Sequence, residues 1–253
     1  MLLGEPQRTP YDLNFTLFGV PIRVHPFFWL AGVLLGPHQL GGKAILVWLI
    51  AFFIGIFLHE LGHAIAIRLQ GGFPWITLYG FGGITSSQRA RAIGIGNADA
   101  WRQIVVSLAG PLSGFLLAAI VVAAVIASGH GVVVEWGGHF GLSVSINEND
   151  MVVSPYFSFF VDRLLFVTIV YGIFNLLPIY PLDGGQIARE VLVMVLGREG
   201  VRQSLILSMF AAGTLAIAAG VVWHDGYLAF FFAYFAYSSY ATLQAYMGGG
   251  PRF

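Results

Sequence analysis

The sequence predicts an all-α polytopic membrane protein, with about six transmembrane helices and short β-hairpin or strand insertions near the cytoplasmic face. Three observations carry this reading. Of 253 residues, 57% are hydrophobic and only 9% charged, against about a quarter charged in a soluble domain. The mean hydropathy is +0.80, and the 22 Phe and 33 Gly suit the apolar bulk and close helix contacts of a membrane bundle. Long apolar stretches also recur along the chain, and about six spans of ~20 residues would consume most of its length. Lys+Arg and Asp+Glu are 12 each, so there is no basic surplus for a phosphate backbone, and no nucleic-acid partner is expected. The absence of Cys excludes disulfides, thiolate metal sites and a Cys nucleophile, leaving any metal to His and carboxylates.

Taken in order, the start MLLGEPQRTPYDLN offers no apolar core or small-residue cleavage site, so no removable signal peptide is expected. The run FTLFGVPIRV, residues 15–24, has a Gly-Val-Pro interruption and β-branched residues, and reads as a short strand or hairpin at the membrane surface, within an N-terminal strand segment 1–25. Segment 26–70 holds two spans: a short one from about Pro26 to Gly36, and a clear one from Ala44 to about Leu69. Residues 71–98, rich in Gly, Pro and Ser with three strand-like stretches, form a β-rich insertion. Segment 99–186 holds span three, about Ile104 to Ala127, with Pro111 inside a small-xxx-small pattern, and span four, about Tyr156 to Leu177. Between them, 128–155 is a polar loop with His130, Glu135, His139, Glu148 and Asp150. Segment 187–253 supplies two C-terminal spans, at about Ser204–Trp223 and Tyr227–Tyr246, parted by His224-Asp225-Gly226. The whole reads as one domain, 1–253, without an internal repeat.

Arginine placement orients the bundle. With a cytoplasmic N-terminus, Arg8, Arg23, Arg68, Arg89, Arg91, Arg102, Arg189, Arg198, Arg202 and Arg252 share one side, leaving Lys43 outside and Arg163 within span four. The positive-inside rule then puts both termini in the cytoplasm.

Within the second span, His59-Glu60-Leu61-Gly62-His63 sets two imidazoles at i and i+4, one turn apart on one helix face, where both can reach a single zinc. Glu60 beside them can take a proton from zinc-activated water as general base. The alternative is a pair of buried histidines satisfied by other polar groups, with Glu60 in an ion pair. Three ionisable groups in an apolar span are costly and favour a function.

A catalytic zinc uses three protein ligands and leaves a position for water. The later glutamates Glu135 and Glu148 fall in the outer loop, and Glu190 and Glu199 near the cytoplasmic face, none at the depth of the histidines. Asp183 is the strong candidate. It follows Pro178 and Pro181, which cannot continue span four, and precedes Gly184-Gly185, whose freedom at φ > 0 could turn the carboxylate into the bundle. By itself such an Asp is more often a turn residue or helix cap.

With HELGH at 59–63 and NLLPIYPLDGG at 175–185, the sequence resembles the site-2 proteases, intramembrane zinc metalloproteases. GVPIRVHP at 19–26, FGG at 81–83 and SLAGPLSG at 107–114 extend the resemblance over nearly the whole chain. It implies a six-helix fold binding one Zn2+ through His59, His63 and Asp183, with Glu60 activating water. It further implies cleavage of transmembrane or membrane-proximal helices of a single-span substrate in the lipid bilayer, often to release a regulatory fragment. No room is expected for the PDZ or CBS domains some members carry, which points to a separate regulatory protein or to prior cleavage of the substrate. The expected location is the cytoplasmic membrane of a prokaryote.

Asn175, two turns before Asp183, could donate to the developing oxyanion, or only tie span four to a neighbour. The strand-like 76–88 could pair with an unwound substrate, or only cap the bundle. Pro111 and its glycines read as helix packing, Asp162-Arg163 as an ion pair or snorkelling Arg, and His25 as an interfacial residue. His38, His130, His139 and His224 lack ligand spacing. Two other classes compete: a metal-transporting membrane protein, which predicts ligands in a line across the bilayer, and an inactive membrane scaffold, which has no need of both ligands and base.

Overall fold

A computed structural model describes residues 5–37, 41–80, 82–87, 97–135, 143–146 and 154–248. His38, Arg89, Arg91, His139, Glu148, Asp150 and Arg252 lie outside the described residues. The chain divides into two compact units: Met1–Ala92 with Ala109–Ile173, and Ile93–Leu108 with Phe174–Phe253.

The first unit opens with a hairpin of β1 (Leu13–Leu17) and β2 (Val20–Val24). Its two-residue turn, Phe18-Gly19, has φ of 50° and 74°, the left-handed pair that matches strand twist. The Arg68 guanidinium donates to the Phe18 carbonyl. Helix α1 (Pro26–Leu34) follows at once, with Pro at its first turn, where the missing N–H is not needed. At nine residues, or ~13 Å, α1 is too short to cross a ~30 Å hydrocarbon core. Helix α2 (Gly42–Leu69) has 28 residues, ~42 Å. Trp48 Nε1 donates to the Gly32 carbonyl at 2.8 Å and ties α2 to α1, while the Phe28 ring meets Phe52 at 5.1 Å.

After α2, β3 (Pro74–Tyr79) and β4 (Gly82–Ser87) pair antiparallel, with Ile76 opposite Thr85 and Leu78 opposite Gly83. Strand β3 also pairs in parallel with β2, Ile22 opposite Ile76. The N-terminal hairpin and the insertion therefore form one four-stranded sheet, ordered β1-β2-β3-β4, with β4 at an edge. Of the three strand-like stretches expected in 71–98, the described residues hold these two strands. Ile22, Val24, Ile76 and Leu78 of the sheet share one buried cluster with Phe57, Leu61 and Ala64 of α2. The sheet thus packs on the helical stretch that carries the HELGH motif.

Two long helices, α3 (Asn97–Ala127) and α4 (Pro155–Asn175), run through both units. In the first unit they approach α2 closely at glycines. A Cβ on Gly62 would lie 2.4 Å from the Ala109 carbonyl oxygen, and one on Gly55 2.6 Å from Val167. Ser113 Oγ donates to the Leu58 carbonyl at 2.8 Å. Between α3 and α4, the expected polar loop contains an antiparallel pair, β5 (Val132–Glu135) and β6 (Ser143–Ile146). Its strands are only four residues each, too short for alternation to stand out from a loop.

The second unit contains α5 (Asp183–Leu196), α6 (Glu199–Val221) and α7 (Gly226–Met247). Helix α5 is not among the expected elements. The reading of Gly184-Gly185 as a left-handed turn is corrected: neither has positive φ, and both lie at the start of α5. Their role is close approach, since a Cβ on Gly184 would stand 2.1 Å from the Leu176 carbonyl oxygen and one on Gly185 2.4 Å from the Ile179 backbone. The break at His224-Asp225-Gly226 is where expected, and Asp225 Oδ1 accepts from the Leu228 N–H at 2.9 Å as the cap of α7.

Among the described residues four helices, α2, α3, α4 and α6, are long and apolar enough to cross a membrane, against the expected six or so. Helix α1 is too short, and α7 has 22 residues but interrupts its apolar run with Tyr234, Tyr237, Ser238, Ser239 and Tyr240. The protein is an integral membrane protein, mostly helical with small sheets.

Candidate metal centre

Helix α2 is apolar from Ala44 through Leu58 and then places His59, Glu60 and His63 in its buried length, 2%, 3% and 7% exposed. Their candidate ligand atoms lie within 4.8 Å of one another. The Nε2 atoms of His59 and His63 are 3.2 Å apart, with the rings at 80° and centroids 4.9 Å apart. Two nitrogens each ~2.0–2.1 Å from a tetrahedral zinc stand about 3.3 Å apart, so the pair already has the spacing of two ligand corners. The same distance accommodates an N–H···N hydrogen bond between neutral rings.

The side facing the two nitrogens is taken by α3. A Cβ on Gly110 would lie 2.3 Å from His63 Nε2, 2.4 Å from His63 Cε1 and 2.8 Å from His59 Nε2, all inside van der Waals contact. Gly110 therefore lets α3 pack against both imidazoles without displacing them. The donor set and the spacing of the two nitrogens fit a zinc site. Tyr171 of α4 packs on the His59 ring, centroids 4.8 Å apart and planes at 71°.

Glu60 points to the sheet. Thr85 Oγ1 donates to Glu60 Oε2 at 2.7 Å and lies 3.1 Å from the Glu60 carbonyl oxygen. A Cβ on Gly83 would stand 2.2 Å from Glu60 Cγ. The carboxylate thus occupies a slot that β4 opens for it.

His59, Glu60 and His63 are brought together in the first unit. Asn175, the last residue of α4, and Asp183, the first of α5, are both buried and belong to the second unit. His25, expected as an interfacial residue, is buried within the protein, and its Nδ1 caps α1 by accepting the Phe27 N–H at 3.2 Å. The Arg163 guanidinium lies over the rings of Phe159 and Phe166, at 5.4 and 5.6 Å. Sequence reasoning missed Thr85, Gly83 and Tyr171 and took Gly110 for packing alone. A signal existed for the first two, since residues two apart on a strand share a face.

The sequence model of Peptidase family M50 matches residues 47–219. A zinc metalloprotease of Methanocaldococcus jannaschii is 25% identical over 214 residues, covering 80% of this chain and 54% of the relative. Stage IV sporulation protein FB of Bacillus subtilis is 30% identical over 169 residues, covering 66% of this chain and 46% of the relative. The chain thus spans about half the length of these curated relatives. Among solved structures, a site-2 protease from Methanocaldococcus jannaschii superposes with a TM-score of 0.55 at 22% identity, over 92% of this chain and 95% of that one. The fold is that of the site-2 protease.

Proposed function

The chain belongs to peptidase family M50, and from that premise we propose that it is a zinc-dependent intramembrane endopeptidase of the site-2 type. Its substrate class is a single-span membrane protein, cut within or beside its transmembrane helix, as in regulated intramembrane proteolysis. The observation that carries this is the buried HELGH constellation: two imidazole nitrogens at ligand spacing with a carboxylate on the adjoining residue.

His59 and His63 supply two metal ligands, and Asp183, buried at the start of α5, supplies the third. Bound zinc contributes Lewis acidity, polarising a carbonyl and making water acidic enough to lose a proton near neutral pH. Glu60 accepts the proton of the attacking water and passes it to the leaving amine. Asn175 donates a hydrogen bond to the oxyanion that develops on the scissile carbonyl. Because α2 is apolar on either side of the motif, water reaches Glu60 along a protein-lined path rather than through lipid. The edge position of β4, with Thr85 touching Glu60, supports an extended substrate pairing with that strand, ~4.8 Å away.

Both termini lie in the cytoplasm of a prokaryotic inner membrane, with the metal nearer the cytoplasmic face. His63 is six residues, ~9 Å, from the end of α2 at Leu69.

Glu60→Gln tests the reading. It keeps size and much of the hydrogen bonding but cannot take a proton. Zinc per chain, by elemental analysis, stays at the wild-type value, and cleavage falls by at least ~10². A variant that keeps zinc and cuts at the wild-type rate refutes Glu60 as base, and a metal carrier would keep its transport in this variant.

A further inference from the structure

We propose that Thr85 of β4 is the positioning residue of the catalytic glutamate, choosing which oxygen of Glu60 takes the proton; this rests on the reading of Glu60 as general base. The 2.7 Å separation of Thr85 Oγ1 and Glu60 Oε2 is that of a well-formed O–H···O hydrogen bond. A hydroxyl has one proton to give. Its second neighbour, the Glu60 main-chain carbonyl at 3.1 Å, is the weaker acceptor and lies in the α-helical ladder. The proton therefore goes to Oε2.

Strand periodicity supplies the other half of the device. Gly83 and Thr85 face the same way from β4, and both meet the same carboxylate. A Cβ on Gly83 would fall 2.4 Å from Glu60 Cδ and 2.5 Å from Oε1, so the glycine opens the space that the Oε1 side occupies. Their partners across the ladder, Leu78 and Ile76, are fully buried, which holds β4 in register against α2. A glutamate has three side-chain torsions to lose. Here a hydroxyl at Oε2 and the slot at Gly83 that the Cγ–Oε1 side fills select one arrangement. During hydrolysis the water oxygen bonds to the carbonyl carbon as its proton passes to Oε1. That proton then moves to the leaving nitrogen as the C–N bond breaks, and Thr85 keeps its own proton throughout.

The test compares wild type, Thr85→Val and Thr85→Ser in the same detergent, with casein as a general peptidase substrate. Thr85→Val has nearly the shape of Thr but cannot donate. It keeps its zinc, shows KM within about twofold of wild type, and loses kcat by ~10–10², the scale set by misplacing a reacting group. Thr85→Ser restores kcat to within about threefold. Without zinc, the infrared difference between Thr85→Val and wild type shows a shifted carboxylate stretch, and this shift vanishes when both proteins carry Glu60→Gln. A fully active Thr85→Val, a Thr85→Ser no better than Thr85→Val, or no band shift overturns the proposal. If the band shift is present but wild type cuts neither casein nor any single-span membrane protein, the peptidase reading itself falls, and Thr85's catalytic role with it.

Discussion

Gly110→Ala adds one methyl group to α3 and presses it against both imidazoles of the candidate metal centre. The added carbon would stand 2.3 Å from His63 Nε2, 2.4 Å from His63 Cε1 and 2.8 Å from His59 Nε2. Carbon–nitrogen van der Waals contact needs about 3.5 Å, so the methyl intrudes by ~1 Å on one ring and somewhat less on the other. Relief requires the imidazoles to turn away or α3 to move off α2, yet a zinc site tolerates only ~0.2 Å in its ligand distances. Disturbing groups outside the ligands already lowers metal affinity 10–100-fold. Displacing ligands should therefore cost at least ~10², equivalent to about 2.7 kcal/mol. Helix stability changes in the opposite direction, because Ala in a helix interior is ~0.5–1 kcal/mol better than Gly. A lost site could not then be blamed on a weaker α3. The assay is zinc retained per chain across a chelator titration, with Gly213→Ala as control, since a Cβ at Gly213 meets nothing within 4 Å. Wild-type zinc affinity in Gly110→Ala would refute the placement of α3 across the two imidazoles.

Asp183→Ala should reduce zinc retention in the same titration, whereas Glu190→Ala, farther along α5, should not; equal retention in both would remove Asp183 from the ligand set. Reporter fusions after residue 90 and at residue 253 should read cytoplasmic and one at residue 140 external, and the reverse pattern would overturn the orientation. At Asp12, outside the spans, burial would raise the pKa, but hydrogen bonds from the Thr9 side chain and backbone and from charged Arg23 outweigh it and hold the carboxyl below its ordinary value. A depressed folded-state pKa contributes stability above the unfolded value of about 3.9 that fades as pH falls through the folded value. Asp12→Asn should accordingly expose residues 5–12 to proteolysis at pH 7, and the difference from wild type should shrink as the pH falls below about 3.9 and on through the folded value; equal protection at pH 7 would refute it.

Much of the molecule is legible from local pattern. A 26-residue apolar run from Ala44 to Leu69 can bury itself only as a spanning helix, and α2 covers it. The i, i+4 histidines then follow from helix geometry alone. The turn at Phe18-Gly19 and the break at 224–226 carry their own backbone chemistry in Gly and in an Asp cap. Local pattern misleads where a neighbour decides. Gly184-Gly185 looks like a turn by composition, but the carbonyl of Leu176 lies 2.1 Å from where a Cβ would be, and the demand on these residues is for space.

The amino-acid sequence by itself determined the membrane class, the helix that carries HELGH, and the side chains able to bind metal and move a proton. These depend on residue type and on periods of two to four residues, which a helix or strand converts directly into a shared face. The tertiary structure alone decided that β2 pairs in parallel with β3, which joins residues as distant as Ile22 and Ile76 into one sheet. It also decided that Thr85 grips Glu60 and that Gly110, rather than some bulkier residue, faces His59 and His63. The physical reason is that periodicity specifies which face of an element is buried but not what covers it. The partner is selected by packing among elements distant in the chain, where volumes and hydrogen-bond donors must match all at once.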